Sequence, residues 1–324
     1  SAVPGDELWL AAGTYLPVSG YDRNTPFLLL RDGVQIIGGF SGTETELDQR
    51  NWQANPVVLS GNIGSAESET DNARHVLVAR GSEEFPLTRV TRIDGVIIEG
   101  GYATEDSVSG GGIRLTRASV DFRNVVFRNN TSYSGGAVAA DEHSSPYFFN
   151  CIFNGNKAQR FGGAVRTLGA MDFVNCVFYA NNALSRGGAV DNGGYGEAAG
   201  INSIFWGNTA SSNPQGYNTI FRYSVVEGGA LGTANISADP QFIYAEGGDF
   251  RVNVNSPVIN KGSNAYVPDD GDYDFGKRTR ILAGTVDIGV YEGGEVLPTL
   301  ISPANKQLFS AGTTSVNVVW EWPQ

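Results

Sequence analysis

The sequence predicts an all-β solenoid, a right-handed parallel β-helix of about 25 residues per coil, from three features of its middle third. A Gly-Gly pair followed by an apolar residue recurs at Gly111-Gly112-Ile113, Gly135-Gly136-Ala137, Gly162-Gly163-Ala164 and Gly187-Gly188-Ala189. An Asn follows each pair (Asn124, Asn150, Asn175, Asn202), then a Phe three residues later (Phe127, Phe153, Phe178, Phe205) and a second Asn three beyond (Asn130, Asn156, Asn181, Asn208). Both Asn columns step by 26, 25 and 27 residues and the Gly-Gly pairs by 24, 27 and 25, with only strand-length pieces between them.

In such a coil, equivalent residues lie over one another at roughly 4.8 Å, so identical side chains form ladders. Asn suits the column because its amide donates and accepts along the stack, and its backbone tolerates a tight bend between strands. The first Asn of each repeat is therefore expected at a corner, with the residues one and three positions later inside. That places Val125, Cys151, Cys176 and Ser203 in one inward column beside the Phe column. The N-terminal third keeps strand-sized apolar runs such as Leu28-Leu29-Leu30 and Val57-Val58-Leu59, interrupted by polar insertions at residues 41–56 and 61–72. After the four clear repeats, Tyr223-Ser224-Val225-Val226, Asp239-Pro240-Gln241-Phe242, Phe250-Arg251-Val252 and Ser256-Pro257-Val258-Ile259 read as degenerate closing coils. The expected domain plan is a β-helix over residues 1–294, then a linker and the opening strands of a truncated β-sandwich-like module over 295–324.

Composition agrees: 43 Gly, 13 Pro and 11% aromatic residues in 324 give the turn density of an all-β chain with a large core. No run approaches the roughly 20 apolar residues of a membrane helix, and the opening residues lack the charged and apolar regions of a signal peptide, as expected of a mature product. A formal charge of −12 argues against nucleic acid and anionic membranes as partners while permitting calcium. Cys151 and Cys176 fall one repeat apart, where stacked side chains are poorly placed for a disulfide, so two buried free thiols are expected. His75 lies among apolar strand residues and reads as a packing or hydrogen-bonding residue and not an acid-base group, whereas His143 reads as an exposed loop tip.

The strings Gly5-Asp6-Glu7-Leu8-Trp9-Leu10-Ala11-Ala12-Gly13-Thr14-Tyr15, Ile37-Gly38-Gly39-Phe40-Ser41-Gly42-Thr43-Glu44-Thr45, Leu59-Ser60-Gly61-Asn62-Ile63-Gly64, Asp71-Asn72-Ala73-Arg74-His75-Val76 and Val286-Asp287-Ile288-Gly289-Val290-Tyr291-Glu292 occur in that order. In this the chain resembles the secreted bacterial β-helix proteins called choice-of-anchor Q proteins. Its repeats are also similar to the Gly-Gly-Ala and Phe-x-x-Asn repeats of polymorphic outer-membrane adhesins. The resemblance implies a β-helix of the pectate-lyase-like superfamily, exported and displayed on or shed from a bacterial cell. Where such proteins tend to carry Asp-Leu-x-Gly-Asn-Pro-Arg, this chain has Asp272-Tyr273-Asp274-Phe275-Gly276-Lys277-Arg278.

The carboxylates converging across a glycosidic bond in β-helix hydrolases, and the acidic calcium pocket with an Arg or Lys base of β-helix lyases, are not visible in the sequence. Arg114, Arg123, Arg128, Arg160, Arg166 and Arg186 read as solvated wall residues. Asp270, Asp272 and Asp274 stand at alternate positions, a spacing that lets a bent loop offer oxygens to calcium, or else makes an acidic loop neutralised by Lys277, Arg278 and Arg280. Asp287 and Glu292 read as hydrogen-bonding residues of the closing motif. Trp52, Tyr102, Tyr133, Tyr179, Tyr195, Trp206 and Tyr217 are expected in outward or loop positions, where planar rings would stack on sugars or simply cover coil ends. The functional expectation is a non-catalytic extracellular or cell-surface β-helix for adhesion or glycan binding, one part of a larger surface protein whose partner is a glycan or surface protein. A polysaccharide lyase or hydrolase, and a purely structural stalk, are the alternatives.

Overall fold

The computed structural model describes residues 2–17, 22–64, 68–105, 107–295, 299–302 and 319–321. Four parallel sheets form the walls of one solenoid. Wall I has nine strands, from Glu7–Ala11 to Gly232–Thr233, and wall II has eight, from Gly13–Tyr15 to Val225–Val226. Wall III is a short side of four strands between Tyr102–Ala103 and Asn182–Ala183, and wall IV has seven, from Leu28–Leu30 to Gly216–Tyr217. Each central coil visits the walls in the order I, II, III, IV, and equivalent residues pair in register, as in Phe122↔Phe148↔Phe173 and Phe127↔Phe153↔Phe178↔Phe205.

The corner Asn residues take the left-handed conformation that lets a chain turn sharply between walls I and II, with φ of 51°, 54°, 51° and 49° at Asn124, Asn150, Asn175 and Asn202. One and three positions on, the side chains are inside as expected: Val125, Cys151, Cys176 and Ser203 are fully buried, the thiols are free, and Ser203 Oγ accepts the Cys176 backbone N–H at 2.9 Å. The rings of Phe127, Phe153, Phe178 and Phe205 stack at centroid distances of 4.9, 4.4 and 4.6 Å. A second stack, Phe122, Phe148 and Phe173, meets the first edge to face. The inner Asn ladder is continuous: Asn130, Asn156 and Asn181 each donate Nδ2 to the Oδ1 of the next coil's Asn at 3.1, 3.0 and 2.9 Å, and Asn208 ends the column on Gln215 at 2.7 Å.

The glycine repeat differs by one residue in its first copy. Ile113 pairs with Val138, which aligns Gly110-Gly111, and not Gly111-Gly112, with Gly135-Gly136. The first glycine of each pair has positive φ (85° at Gly110, 64° at Gly135), while a Cβ on the second would lie 2.2 Å from Gly163 O at Gly136 and 2.1 Å from Gly188 O at Gly163. Both positions therefore demand glycine, for different reasons.

The segments expected as closing coils depart further. Val225–Val226 is a true wall II strand, but Phe242–Tyr244 and Asp249–Asn253 pair antiparallel, and the chain then turns back along the outside of the solenoid. Wall II carries an apolar outer column, Ile152, Val177, Ile204 and Val225, and the returning strap buries it under Phe250, Val252, Val258, Phe275, Ile288 and Val290. The corner Asn ladder, pointing outward, hydrogen-bonds the strap: Asn150 Nδ2 to Tyr273 O, Asn175 Nδ2 to Asp287 O and Gly289 O, and Asn202 Nδ2 to Ser263 O. Beyond residue 295, Thr299–Ser302 and Val319–Glu321 form an antiparallel pair, and the rest of the expected β-sandwich opening lies outside the described residues. Among the described residues no helix is long and apolar enough to cross a membrane.

His75 is buried with Nδ1 hydrogen-bonded to Gly110 O at 2.7 Å, within the packing or hydrogen-bonding role expected of it, and His143 is exposed. Burial, offset by the Gly110 bond and helped by the charges of Arg114 and Arg74, pulls the His75 imidazole below its ordinary value of 6.5. The unfolded chain then binds the extra proton first, so stability falls as pH drops below about 6.5. His75→Gln, which does not titrate, is expected to narrow its stability deficit against wild type between neutral pH and pH 5; a pH-independent difference in urea midpoint would refute this assignment.

Candidate binding groove

Wall IV presents one outward residue per coil directly after its inward apolar residue. Strand register stacks Val78, Arg114, Ala139, Arg166, Asp191 and Tyr217 in this column. Along the edge shared with wall III, bridge pairing brings Phe161 beside Arg186 and Arg186 beside Ser212. The two columns converge on Phe161, whose ring lies 4.6, 5.1 and 4.5 Å from the guanidinium carbons of Arg160, Arg166 and Arg186. Arg186 also sits 4.0 Å from the Tyr217 ring.

Asp191 organises this cluster. Its fully buried carboxylate accepts from Arg186 Nε at 2.6 Å and contacts the Arg166 guanidinium. Arg160 donates to the Tyr133 hydroxyl at 3.2 Å, and Arg114, exposed on the same wall, has no ion-pair partner among the described residues. Burial, and then the like charges of Arg186 and Arg160, pull the Arg166 guanidinium down to about 10, so it stays cationic at neutral pH within a crowd of its own sign. Arg114, Tyr133, Phe161, Arg166 and Leu168 enclose a groove of about 260 Å³.

The sequence-predicted rings separate on this map. Tyr133 lines the groove, Tyr217 lies against Arg186 two coils beyond Arg166 in the same column, and Tyr195 stands on an exposed loop. Tyr102 is half-buried on wall III, and Tyr179 is half-buried against the rings of Phe242 and Phe250 beneath the antiparallel hairpin. Trp206 packs against the strap's apolar cluster. Trp52, expected outside, is only 8% exposed: the strap closes over it and its Nε1 donates to Phe275 O at 2.8 Å.

The acidic triplet of the strap is likewise divided. Asp270 pairs with Arg123 at 2.7 Å and Arg92 at 3.4 Å, Asp272 is exposed, and Asp274 is buried, accepting the backbone N–H groups of Glu292 and Arg278, each at 2.7 Å. Among the described residues no three His, Cys, Asp or Glu side chains are grouped so as to hold a metal ion. A second cavity of about 330 Å³ lies between wall I and the strap, where Arg50 pairs with Asp94 at 2.6 Å, Arg123 with both Asp121 and Asp270, and Lys277 Nζ donates to the Asp48 and Arg50 carbonyls.

The arginines expected as scattered surface residues are of two kinds. Arg123 and Arg128 are paired, Arg128 to Glu99 at 2.6 Å, while Arg114, Arg160, Arg166 and Arg186 gather on one side of the rod. The signal lay in the repeat: the residue after Ile113, Val138, Val165 and Val190 is outward in every coil, and in three of those four coils it is charged. No family model matches the chain, and no curated protein matches it.

Proposed function

We propose that this chain is a non-catalytic β-helix displayed outside the cell as one part of a larger surface protein, and that it contacts glycans through the groove on wall IV. The observation that carries the reading is the cluster of Phe161, Tyr133 and Tyr217 with arginines on a rigid parallel wall. Rings and guanidinium groups are the side chains that stack on sugar faces and hydrogen-bond sugar oxygens at low conformational cost. The resemblance to secreted β-helix proteins supports the extracellular setting.

The test is incubation of the purified protein with a panel of uronate-containing and neutral polysaccharides, with and without calcium. Retention of a polysaccharide without new chain ends is the expected result. Newly formed unsaturated or reducing ends would make the chain a lyase or hydrolase, and failure to retain any polymer would leave a structural stalk.

A further inference from the structure

Resting on the glycan-binding reading, we infer that the wall IV groove takes an anionic polysaccharide, one bearing carboxylate or sulfate groups, and discriminates against neutral polymers. The charge balance is what points there. The chain as a whole carries −12, yet Arg114, Arg160, Arg166 and Arg186 are gathered on one side of the rod with Asp191 as their only ion-pair partner among the described residues. The other acid among the groove's described residues, Asp141, is already engaged by the backbone N–H of Arg117 and the hydroxyl of Ser144. Two guanidinium groups are thus held by a buried carboxylate and two have none, a surplus of positive charge that a neutral sugar would leave uncompensated.

The geometry favours oxyanions over a diffuse basic patch. A guanidinium stacked on a ring is shielded on one face and keeps its in-plane N–H donors directed sideways, the arrangement that grips a carboxylate or sulfate by two parallel hydrogen bonds. Arg160 lies over Phe161, its guanidinium carbon 4.6 Å from the ring centroid, and donates one hydrogen bond to Tyr133, while Arg114 lies two coils from Arg166 along the same column with no ion-pair partner among the described residues. At roughly 4.8 Å per coil, Arg114 and Arg166 are about 10 Å apart along the rod axis, which provides for anionic groups recurring along a polymer and not for a single small ion.

Binding of polygalacturonate (carboxylated), dextran sulfate (sulfated) and unmodified dextran (neutral) to the whole chain tests this, at low and high salt. Arg114→Ala and Arg160→Ala remove exposed side chains, so both variants should fold with unchanged circular dichroism and thermal midpoint; Lys261→Ala, an exposed cation on the strap, controls for net charge. The expected result is retention of one or both acidic polymers, weakened about ten- to hundredfold by either arginine substitution, unaffected by Lys261→Ala and abolished by salt. The two acidic arms say which oxyanion is preferred. Equal binding of neutral dextran, independent of Arg114, would overturn the anionic assignment and leave the glycan reading intact. Equal weakening by Lys261→Ala would overturn it in favour of unspecific attraction, and retention of no polymer would end both readings.

Discussion

Asn156→Leu is expected to cost about 3–5 kcal/mol, although it exchanges a polar residue for an apolar one of similar size in the middle of the core. The Asn156 side chain is fully buried and makes four hydrogen bonds. Nδ2 donates to Phe127 O at 2.9 Å and to Asn181 Oδ1 at 3.0 Å, and Oδ1 accepts the backbone N–H of Asn130 at 3.2 Å and its Nδ2 at 3.1 Å. Leucine would return none of these, and the cost is set by what stays behind. Asn130 Nδ2 keeps Ile98 O and Arg128 O, Asn181 Oδ1 keeps the residue 156 backbone N–H, and the Phe127 carbonyl keeps its place in the wall II strand ladder, but the Asn130 N–H loses its partner where water cannot replace it. That orphan costs roughly 1–3 kcal/mol, the other lost hydrogen bonds add to it, and the added methyl groups press on coils spaced too closely to yield. Asn154→Ala, a half-buried position of the same coil outside the ladder, should stay within about 0.5 kcal/mol. Urea midpoints decide it: equal loss for both variants would mean that the ladder contributes no more than ordinary surface polarity.

That ladder was legible in the sequence because a solenoid writes its third dimension into its period. Residues 25 to 27 apart become neighbours, so the Asn, Phe and Cys columns could be read without any long-range assumption. The same logic misplaced the first glycine pair by one residue, since three consecutive glycines at Gly110, Gly111 and Gly112 leave the phase to be set by Ile113, whose burial only the fold declares. The strap was illegible for a different reason. Its partners are remote, Trp52 with Phe275 and Arg280 with Asn150, and its apolar spacing matches that of a weak coil. The clue was on the other side of the contact: Ile152, Val177 and Ile204 alternate with inward residues and so mark an outer wall that cannot face water, which calls for a cover. The arginine groove fell between these cases. Its column is periodic, but Arg160 and Arg186 join it from the adjoining edge, and their convergence on Phe161 depends on side-chain direction, which spacing does not encode.

Arg280→Met should release the strap without dissolving the coils. Arg280 is 1% exposed; it pairs with Glu292 at 2.5 Å and donates to Asn150 Oδ1 and Val290 O, joining the corner Asn ladder to the closing motif. Glu292 Oε1 in turn accepts the Asp287 N–H, and Asp287 accepts from Asn260 and Gly293, so one cation satisfies a knot that holds both limbs of the strap. Removing it strands a buried carboxylate, a loss of about 3–5 kcal/mol. The sign with pH follows from the acid left behind. Burial, opposed by Arg280, already pushes Glu292 from 4.5 up to about 7, so the folded state holds a proton that the unfolded chain has released, and stability contributed by this group declines as pH rises through that interval. Without Arg280 the interval extends upward, and the variant's deficit should be larger at pH 8 than at pH 5. Hydrogen exchange locates the damage: amides of residues 260–293 should open well before those of the Phe122–Phe205 core, because the solenoid's strand pairing and inner Asn ladder do not pass through Arg280. Simultaneous loss of protection in both regions would show that strap and solenoid form one cooperative unit, and that wall II cannot stand without its cover.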